Sequence, residues 1–371
     1  MLCDSACAVR FSLGGAVGDV LNRMGRIAGV MFRGAALRVA LLAALTVPGA
    51  GAAVAQKCTT QARMEASTRS GMADTALRLA TAVKSDDMAG LTKEMSAAFA
   101  SVPSNGRMES LIANASAKLA GDTLKVTQVY ELDASMRSPR DASDVDFSCP
   151  LKDTVAETDF AISGLMPGLY GFAMVEAEGG EHPWLLTFLL QQEAGGWKLE
   201  AVYFHPRTAA GDNGQWYWNA ARERVRAKQP WLAWMYYNEA DELLRPASFV
   251  TSTELDKLRA EEHAAAPPAL SDGIGVQTPL VVKGADGEEF HFTAMTSEEA
   301  AEGMSLHLVL HYSVQDAEDK GSADRARNVA AAKAMIGAHP ELRQGYSGVV
   351  VFADAPQQAP SVVSVPMVEI P

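Results

Sequence analysis

The sequence predicts an α+β fold: helices packed on a curved antiparallel sheet, then a helical hairpin, then a smaller C-terminal α+β domain. Three observations predict it. A stretch of helical period from Glu65 to about Leu119 gives way to a long run of strand-like segments ending at Phe204. A second helical stretch, dense in aromatic residues, begins near Gly214. Beyond the paired prolines Pro267-Pro268, a third segment arranges strands around one helix.

The elements follow in chain order. Met31 opens a secretory leader, with Arg33 and Arg38 as its positive flank, an apolar run from Val39 to Val47, then Pro48 and the small-residue site Ala53-Val54-Ala55. Cleavage is expected before Gln56. The apolar run is about nine residues, against the roughly 20 that span a bilayer, so no stable membrane span is expected after cleavage. Gln56 and Lys57 separate the cleavage site from Cys58, which argues against a lipid anchor. Residues 1–30 stand ahead of this leader, with Met24 and Met31 both available as starts, and read as a mis-called start or an extended n-region.

Cys3 and Cys7 fall in the discarded segment, leaving Cys58 and Cys149. An even pair in an oxidising compartment predicts one disulfide, and neither cysteine belongs to a paired metal-ligand motif. The chain carries 32 basic and 45 acidic residues, a net charge of −13 that becomes −16 without the five basic and two acidic residues of positions 1–55. Such a balance argues against nucleic acid and anionic lipid, which require clustered positive charge. With 48% apolar and 21% charged residues, the composition is that of an ordinary globular protein.

The domains expected of the mature chain are 56–212, a helical hairpin at 213–262, a linker at 263–275 and a C-terminal unit at 276–371. In the first, Met72, Ala76, Leu79 and Val83 set one apolar stripe along a helix. Ser85-Asp86-Asp87 then reads as a cap before Met88, Leu91, Met95 and Phe99. Pro103, Asn105 and Gly106 interrupt the period ahead of Met108, Leu111, Ile112 and Leu119. The methionines read as core filling. Strands are expected at Leu124 to Tyr130, Val145 to Cys149, Asp159 to Ile162 and Leu169 to Val175, and the clearest hairpin joins Trp184–Gln191 to Trp197–Phe204 through Glu193-Ala194-Gly195-Gly196.

At Lys84-Ser85-Asp86-Asp87-Met88-Ala89-Gly90-Leu91 and Gly196-Trp197-Lys198-Leu199-Glu200-Ala201-Val202-Tyr203-Phe204 the chain resembles the NTF2-like superfamily, the cystatin-like cone shared by ketosteroid isomerase-like and polyketide cyclase-like proteins. The resemblance covers about half of the mature chain. It implies a pocket enclosed by the curved sheet, with Asp159, Tyr170, Tyr203 and His205 as candidate acid, base or hydrogen-bond donors. Chemistry of that kind needs a carboxylate to remove a proton and a phenol to stabilise the oxyanion, both facing one apolar cavity. The superfamily also contains many noncatalytic binding domains, so the fold leaves function open.

Segments 218–227 and 231–244, broken at Gln229-Pro230 and ended by Pro246, look like one helix-turn-helix of tetratricopeptide type. A lone hairpin cannot form a solenoid, so it is expected to dock against the preceding sheet. Its Trp216, Trp218, Trp231, Trp234 and Tyr237 are core at helical spacing, or a ligand or partner surface where exposed. Glu261 to Ser271 reads as linker. Beyond it, strands are expected at 279–282, 290–294, 305–314, 348–352 and 362–365, with a helix at 324–336.

No phosphate loop, nucleophile elbow, metalloprotease helix or paired Cys-x-x-Cys occurs, so no cofactor and no metal is expected. His307 and His311 would share a face on a helix. On a strand, however, four residues span about 13 Å, too far for one metal without a partner such as His291. The function expected is an exported binding or protein-interaction module of unknown ligand, the alternative being a small-molecule site with isomerase- or cyclase-like acid–base activity.

Overall fold

The computed structural model describes residues 56–371 except 104–105, 141–142, 153, 181, 195, 302 and 316–321. The leader and the segment before it lie outside the described residues. The fold is α+β.

The chain enters through β1 (Lys57–Thr60) and then forms α1 (Ala66–Lys84), α2 (Met88–Glu94), α3 (Ala97–Ala100) and α4 (Arg107–Lys118). The predicted stripe of α1, Met72, Ala76, Leu79 and Val83, is fully buried. The Asp87 side chain accepts from the Gly90 amide at 2.8 Å and caps α2, as the Ser-Asp-Asp run foretold. The period does not continue through Met95, which is extended while the Ser96 amide donates to the Leu199 carbonyl at 2.8 Å. Leaving the helix there supplies a backbone partner on the sheet, and Ser96 caps the short α3.

Next come β2 (Thr123–Asp133), β3 (Val145–Pro150), β4 (Glu157–Ile162), β5 (Leu169–Glu178), β6 (Trp184–Glu193) and β7 (Gly196–Pro206). Four of these join β1 in an antiparallel sheet of order β1-β2-β5-β6-β7. The predicted β6–β7 hairpin closes with Glu193 opposite Gly196. Alternation divides the sheet's side chains. Val129, Ala173, Val175, Phe188 and Val202 meet α1 to α4, whereas Tyr130, Tyr170, Phe172, Leu189 and Tyr203 face the other way.

The second face is where the sequence expectation needs correction. Strands β3 and β4 do not extend the curved sheet. With β10 (Val250–Ser252) they form a separate three-stranded sheet, β10-β4-β3, laid over it. Val145, Phe147, Phe160, Ile162 and Val250 fill the space between the two sheets. Both β3 and β4 alternate buried and exposed positions, the pattern of strands with one face on a core and one in water. Cys58 on β1 and Cys149 on β3 are joined by a disulfide across the sheet pair, with Cα atoms 5.2 Å apart.

After the short pair β8 (Thr208–Ala209) and β9 (Asp212–Asn213), the predicted hairpin is present as α5 (Gly214–Arg226) and α6 (Pro230–Leu244). Pro230 occupies the first turn of α6, where its missing N–H costs nothing. The proposed linker is a second correction. Residues Thr253–Ala265 form α7, and beyond Pro267 a 3₁₀ turn buries Leu270. The paired prolines end the helix there without opening a free tether.

The last unit contains β11 (Leu280–Lys283), β12 (Glu289–Glu299), β13 (Leu306–Ser313), α8 (Ser322–Ala338), β14 (Gly348–Asp354) and β15 (Ser361–Pro366), the five strands forming one sheet in chain order. Only β13 and β14 pair in parallel, as the intervening α8 crossover requires. Gly287 takes a φ of 87° in the turn between β11 and β12. A third correction concerns packing. Tyr217, Trp218, Trp231, Leu232, Met235 and Tyr236 share one core with Phe290, Phe292, Leu308, Leu310, Val349 and Met335. The helical hairpin therefore buries its apolar face chiefly against the C-terminal sheet, because α1 to α4 cover one face of the preceding sheet and the three-stranded sheet covers most of the other.

Candidate functional site

The sheet face predicted to enclose a pocket is filled along most of its length. Tyr170 and Tyr203 are buried among Tyr130, Phe160, Phe172 and Phe249, with Phe160–Phe172 rings 4.9 Å apart and Tyr203–Phe249 rings 5.3 Å apart. The Tyr170 hydroxyl donates to the Met166 carbonyl at 3.0 Å and accepts from Gln191 Nε2 at 3.4 Å; burial pushes its pKa up to about 12. Asp159 lies on β4 between Ser148 and Thr251. Because its neighbour Phe160 points into the core, Asp159 points away from both tyrosines. Desolvation raises its pKa. The carboxylate, Tyr170 and Tyr203 thus do not converge on one cavity.

His205 lies farther along the same sheet face and differs in character. It is 5% exposed, and neither ring nitrogen has a hydrogen-bond partner in the protein. Glu242 Oε1 of α6 stands 3.9 Å from Nδ1, and burial lowers the imidazole pKa.

The aromatic residues of the hairpin separate by burial. Trp218, Trp231 and Tyr237 are core residues, Trp234 is half-buried, and Trp216 keeps 45% of its surface exposed. Trp231 lies against His339 with ring centroids 3.9 Å apart. Trp218 donates from Nε1 to Glu261 Oε2 at 2.9 Å, while Arg222 grips both oxygens of that carboxylate at 2.7 and 2.8 Å. This clamp holds the Glu261 pKa down to about 2 and fixes α7 against α5. Four of the five aromatics named from sequence serve packing wholly or in part.

His291, His307 and His311 lie on the sheet face opposite the core. His311 Nδ1 and Asp354 Oδ2 are 2.9 Å apart, and the imidazole stacks on Phe352; Glu298 Oε1 is 3.9 Å from His307 Nδ1. No group of three or more potential metal ligands occurs among the described residues.

A cleft opens where the curved sheet's face outruns the sheet covering it. Ladder pairing sets Glu176, Leu185 and His205 in one row across β5, β6 and β7. Two residues farther along their strands, Glu178 and Arg207 follow on the same side. Opposite them are the start of α5 and the end of α6, and about 300 Å³ is enclosed between, with Pro183, Trp184, Thr208, Asn213 and Leu243 also lining it. Local chemistry builds each wall. Asn213 caps α5 by accepting from the Trp216 amide at 2.9 Å. A Cβ on Gly214 would stand 2.6 Å from Leu244 Cγ, so the close approach of α5 to the end of α6 requires glycine. Arg207 is anchored by its amide to the Pro183 carbonyl at 2.8 Å and by Nη1 to the Leu243 carbonyl at 3.3 Å.

Glu176 and Glu178 have no ion pair or hydrogen bond among the described residues. The hydroxyl of Thr208 is buried without a partner. The Trp184 ring faces away from the cleft: it packs against the α1–α4 core, and Lys118 at the end of α4 sits over it, 4.8 Å from its centroid. The cleft therefore combines two free carboxylates, one guanidinium and an apolar wall of Pro183, Leu243 and Leu244. Sequence reasoning passed over it. In Val175-Glu176-Ala177-Glu178 the alternation does place both acids on one face, but an acidic strand face reads as solvated until a ladder register brings Arg207 and α6 beside it.

Beyond the cleft, a polar cluster joins α6 to β12. The Glu239 carboxyl hydrogen-bonds Ser297, whose Oγ lies 3.0 Å from the Tyr346 hydroxyl. Desolvation, helped by Glu242 and Glu299, raises the Glu239 pKa to about 7.

The chain was compared with known protein families, curated proteins and solved structures, and matches none of them. No helix among the described residues is long and apolar enough to cross a membrane.

Proposed function

We propose that this chain is an exported, noncatalytic binding module whose first unit is NTF2-like and whose ligand enters the cleft between the curved sheet and the helical hairpin. One observation carries the assignment. The sheet face that would cradle a reacting substrate is packed with Tyr170, Phe172 and Tyr203, while the same face ends in unpaired Glu176 and Glu178 beside Arg207. Concave sites between structural units, with a few polar groups on an apolar wall, are the usual form of small-molecule sites. The NTF2-like assignment is supported by a group of helices, α1 to α4, packed on one face of a five-stranded antiparallel sheet. Export is supported by the leader and by the Cys58–Cys149 disulfide, a bond that persists in oxidising compartments.

The test is retention of small molecules from a cell extract by immobilised wild-type protein and by a Glu176→Gln/Glu178→Gln/Arg207→Gln variant. The expected result is a compound held by wild type, lost by the variant and eluted chemically unchanged. Equal retention by both would remove the cleft from the mechanism. A compound returned altered would favour the second reading, acid–base chemistry, for which buried His205 and partly exposed Glu242, 3.9 Å apart, are the supporting geometry.

A further inference from the structure

We infer that the chain pairs with a second copy of itself through the outer face of its C-terminal sheet, as a two-fold dimer. The inner face of that sheet, with Phe290, Phe292, Leu308, Leu310, Val349 and Val351, shares its core with α5, α6 and α8. Strand alternation turns the intervening residues to the opposite face. There the register sets Val309 beside Val350 and Phe352 beside Val362, while Val281, beside His291, carries the apolar band to β11. None of these five apolar side chains joins a core cluster.

Two features point to a covering layer. The pair β13–β14 is parallel, and parallel strands are normally buried on both faces. Val281 and Val362, on the two edge strands, are 45% and 38% exposed, with half-buried Phe352 between them and Val309 and Val350 as the floor. The five strands contain no arginine and a single lysine, Lys283, which pairs with Glu289 at 3.1 Å at the corner of the face. Depletion of charge around an aromatic and aliphatic centre is the composition of an interface core.

Charge and area favour a second copy as the occupant. A chain with a net charge of −13 is opposed to self-association through an acidic surface, and this face presents no bare acid. Asp354 lies 2.9 Å from His311 and Glu298 lies 3.9 Å from His307. A two-fold contact sets each such pair, donor and acceptor together, against the same surface of its partner, as an isologous interface requires. With strands about 4.8 Å apart and residues rising about 3.3 Å, five strands of some six residues give a face of roughly 24 by 20 Å. Two such faces in contact remove about 1,000 Å² or more from water, the size at which specific interfaces begin.

The experiment is sedimentation equilibrium of the full exported chain across a range of concentrations. Wild type is expected to dimerise with a Kd of about 1 μM or tighter. Val281→Lys/Val362→Lys is expected to weaken the dimer at least about tenfold by bringing unpaired ammonium groups into the contact, with the monomer's melting temperature unchanged because both side chains are exposed in one copy. Phe352→Lys tests the centre of the same face. Trp216→Lys, on α5 and thus on the other side of the sheet, should leave the dimer intact. A wild type that stays monomeric throughout would overturn the proposal, and so would a dimer that survives all three lysines on the face. A monomer that instead holds a different protein, released by Val281→Lys/Val362→Lys, would place another partner there and equally overturn self-pairing.

Discussion

Replacing Cys58 and Cys149 together by alanine removes the covalent tie between β1 and β3, hence between the two sheets that enclose the aromatic core. The bridged residues are 91 positions apart. In the chain-entropy relation a loop of that length corresponds to about 4–5 kcal/mol, acting mainly by restricting the unfolded chain. Cys149 is fully buried and Cys58 packs against the same core, so the double variant also loses a little apolar contact there. With a urea m-value of about 3 kcal/mol/M, the upper end of the usual range, the unfolding midpoint falls by about 1.5 M. The assay is urea denaturation followed by far-ultraviolet circular dichroism, comparing oxidised wild type, dithiothreitol-treated wild type and the alanine pair. The treated and substituted proteins should move together. A midpoint shift below about 0.3 M would refute the loop-closure argument. An intact mass showing free thiols at Cys58 and Cys149 in protein purified without reductant would refute the pairing itself.

The remaining predictions concern packing and charge. Trp231→Ala should cost about 3–5 kcal/mol, as a buried indole stacked on His339 leaves a cavity, whereas Trp216→Ser should change stability by less than about 1 kcal/mol; equal losses in thermal denaturation would show the two are misplaced. Glu239 keeps its proton to about pH 7 when folded but releases it near 4.5 when unfolded, so the folded state binds more protons in between and stability falls as pH rises through that window, by about 3 kcal/mol. Glu239→Gln should flatten this slope, measured as urea midpoints from pH 5 to 7.5. Glu261 behaves oppositely: its carboxyl, held down to about 2 by Arg222, stabilises the fold above pH 4.5 and loses that effect as pH falls toward 2, by about 1–2 kcal/mol for a pair this open to solvent. Glu261→Gln should therefore weaken the protein at pH 6 more than at pH 3, and an equal loss at both would contradict the ion-pair account.

The sequence by itself determined the helical stripe of Met72, Ala76, Leu79 and Val83, the Asp87 cap, the β6–β7 hairpin, the α5–α6 hairpin broken at Pro230, and the pairing of Cys58 with Cys149. Each depends on neighbours within a few residues or, for the cysteines, on counting. Tertiary structure alone decided that β3 and β4 leave the curved sheet to cover it, which turned Tyr170 and Tyr203 from candidate catalytic groups into core. It also decided that α5 and α6 pack on the C-terminal sheet and that α7 runs into the first residues of the supposed linker. The cleft belongs to the same category, because Glu176 and Glu178 on β5, Arg207 beyond β7 and Leu243 on α6 meet only through strand register and helix docking. Alternation tells which side of a strand a residue takes. What lies on that side is set by contacts between segments far apart in the chain, whose balance of burial, hydrogen bonding and chain entropy no local pattern contains.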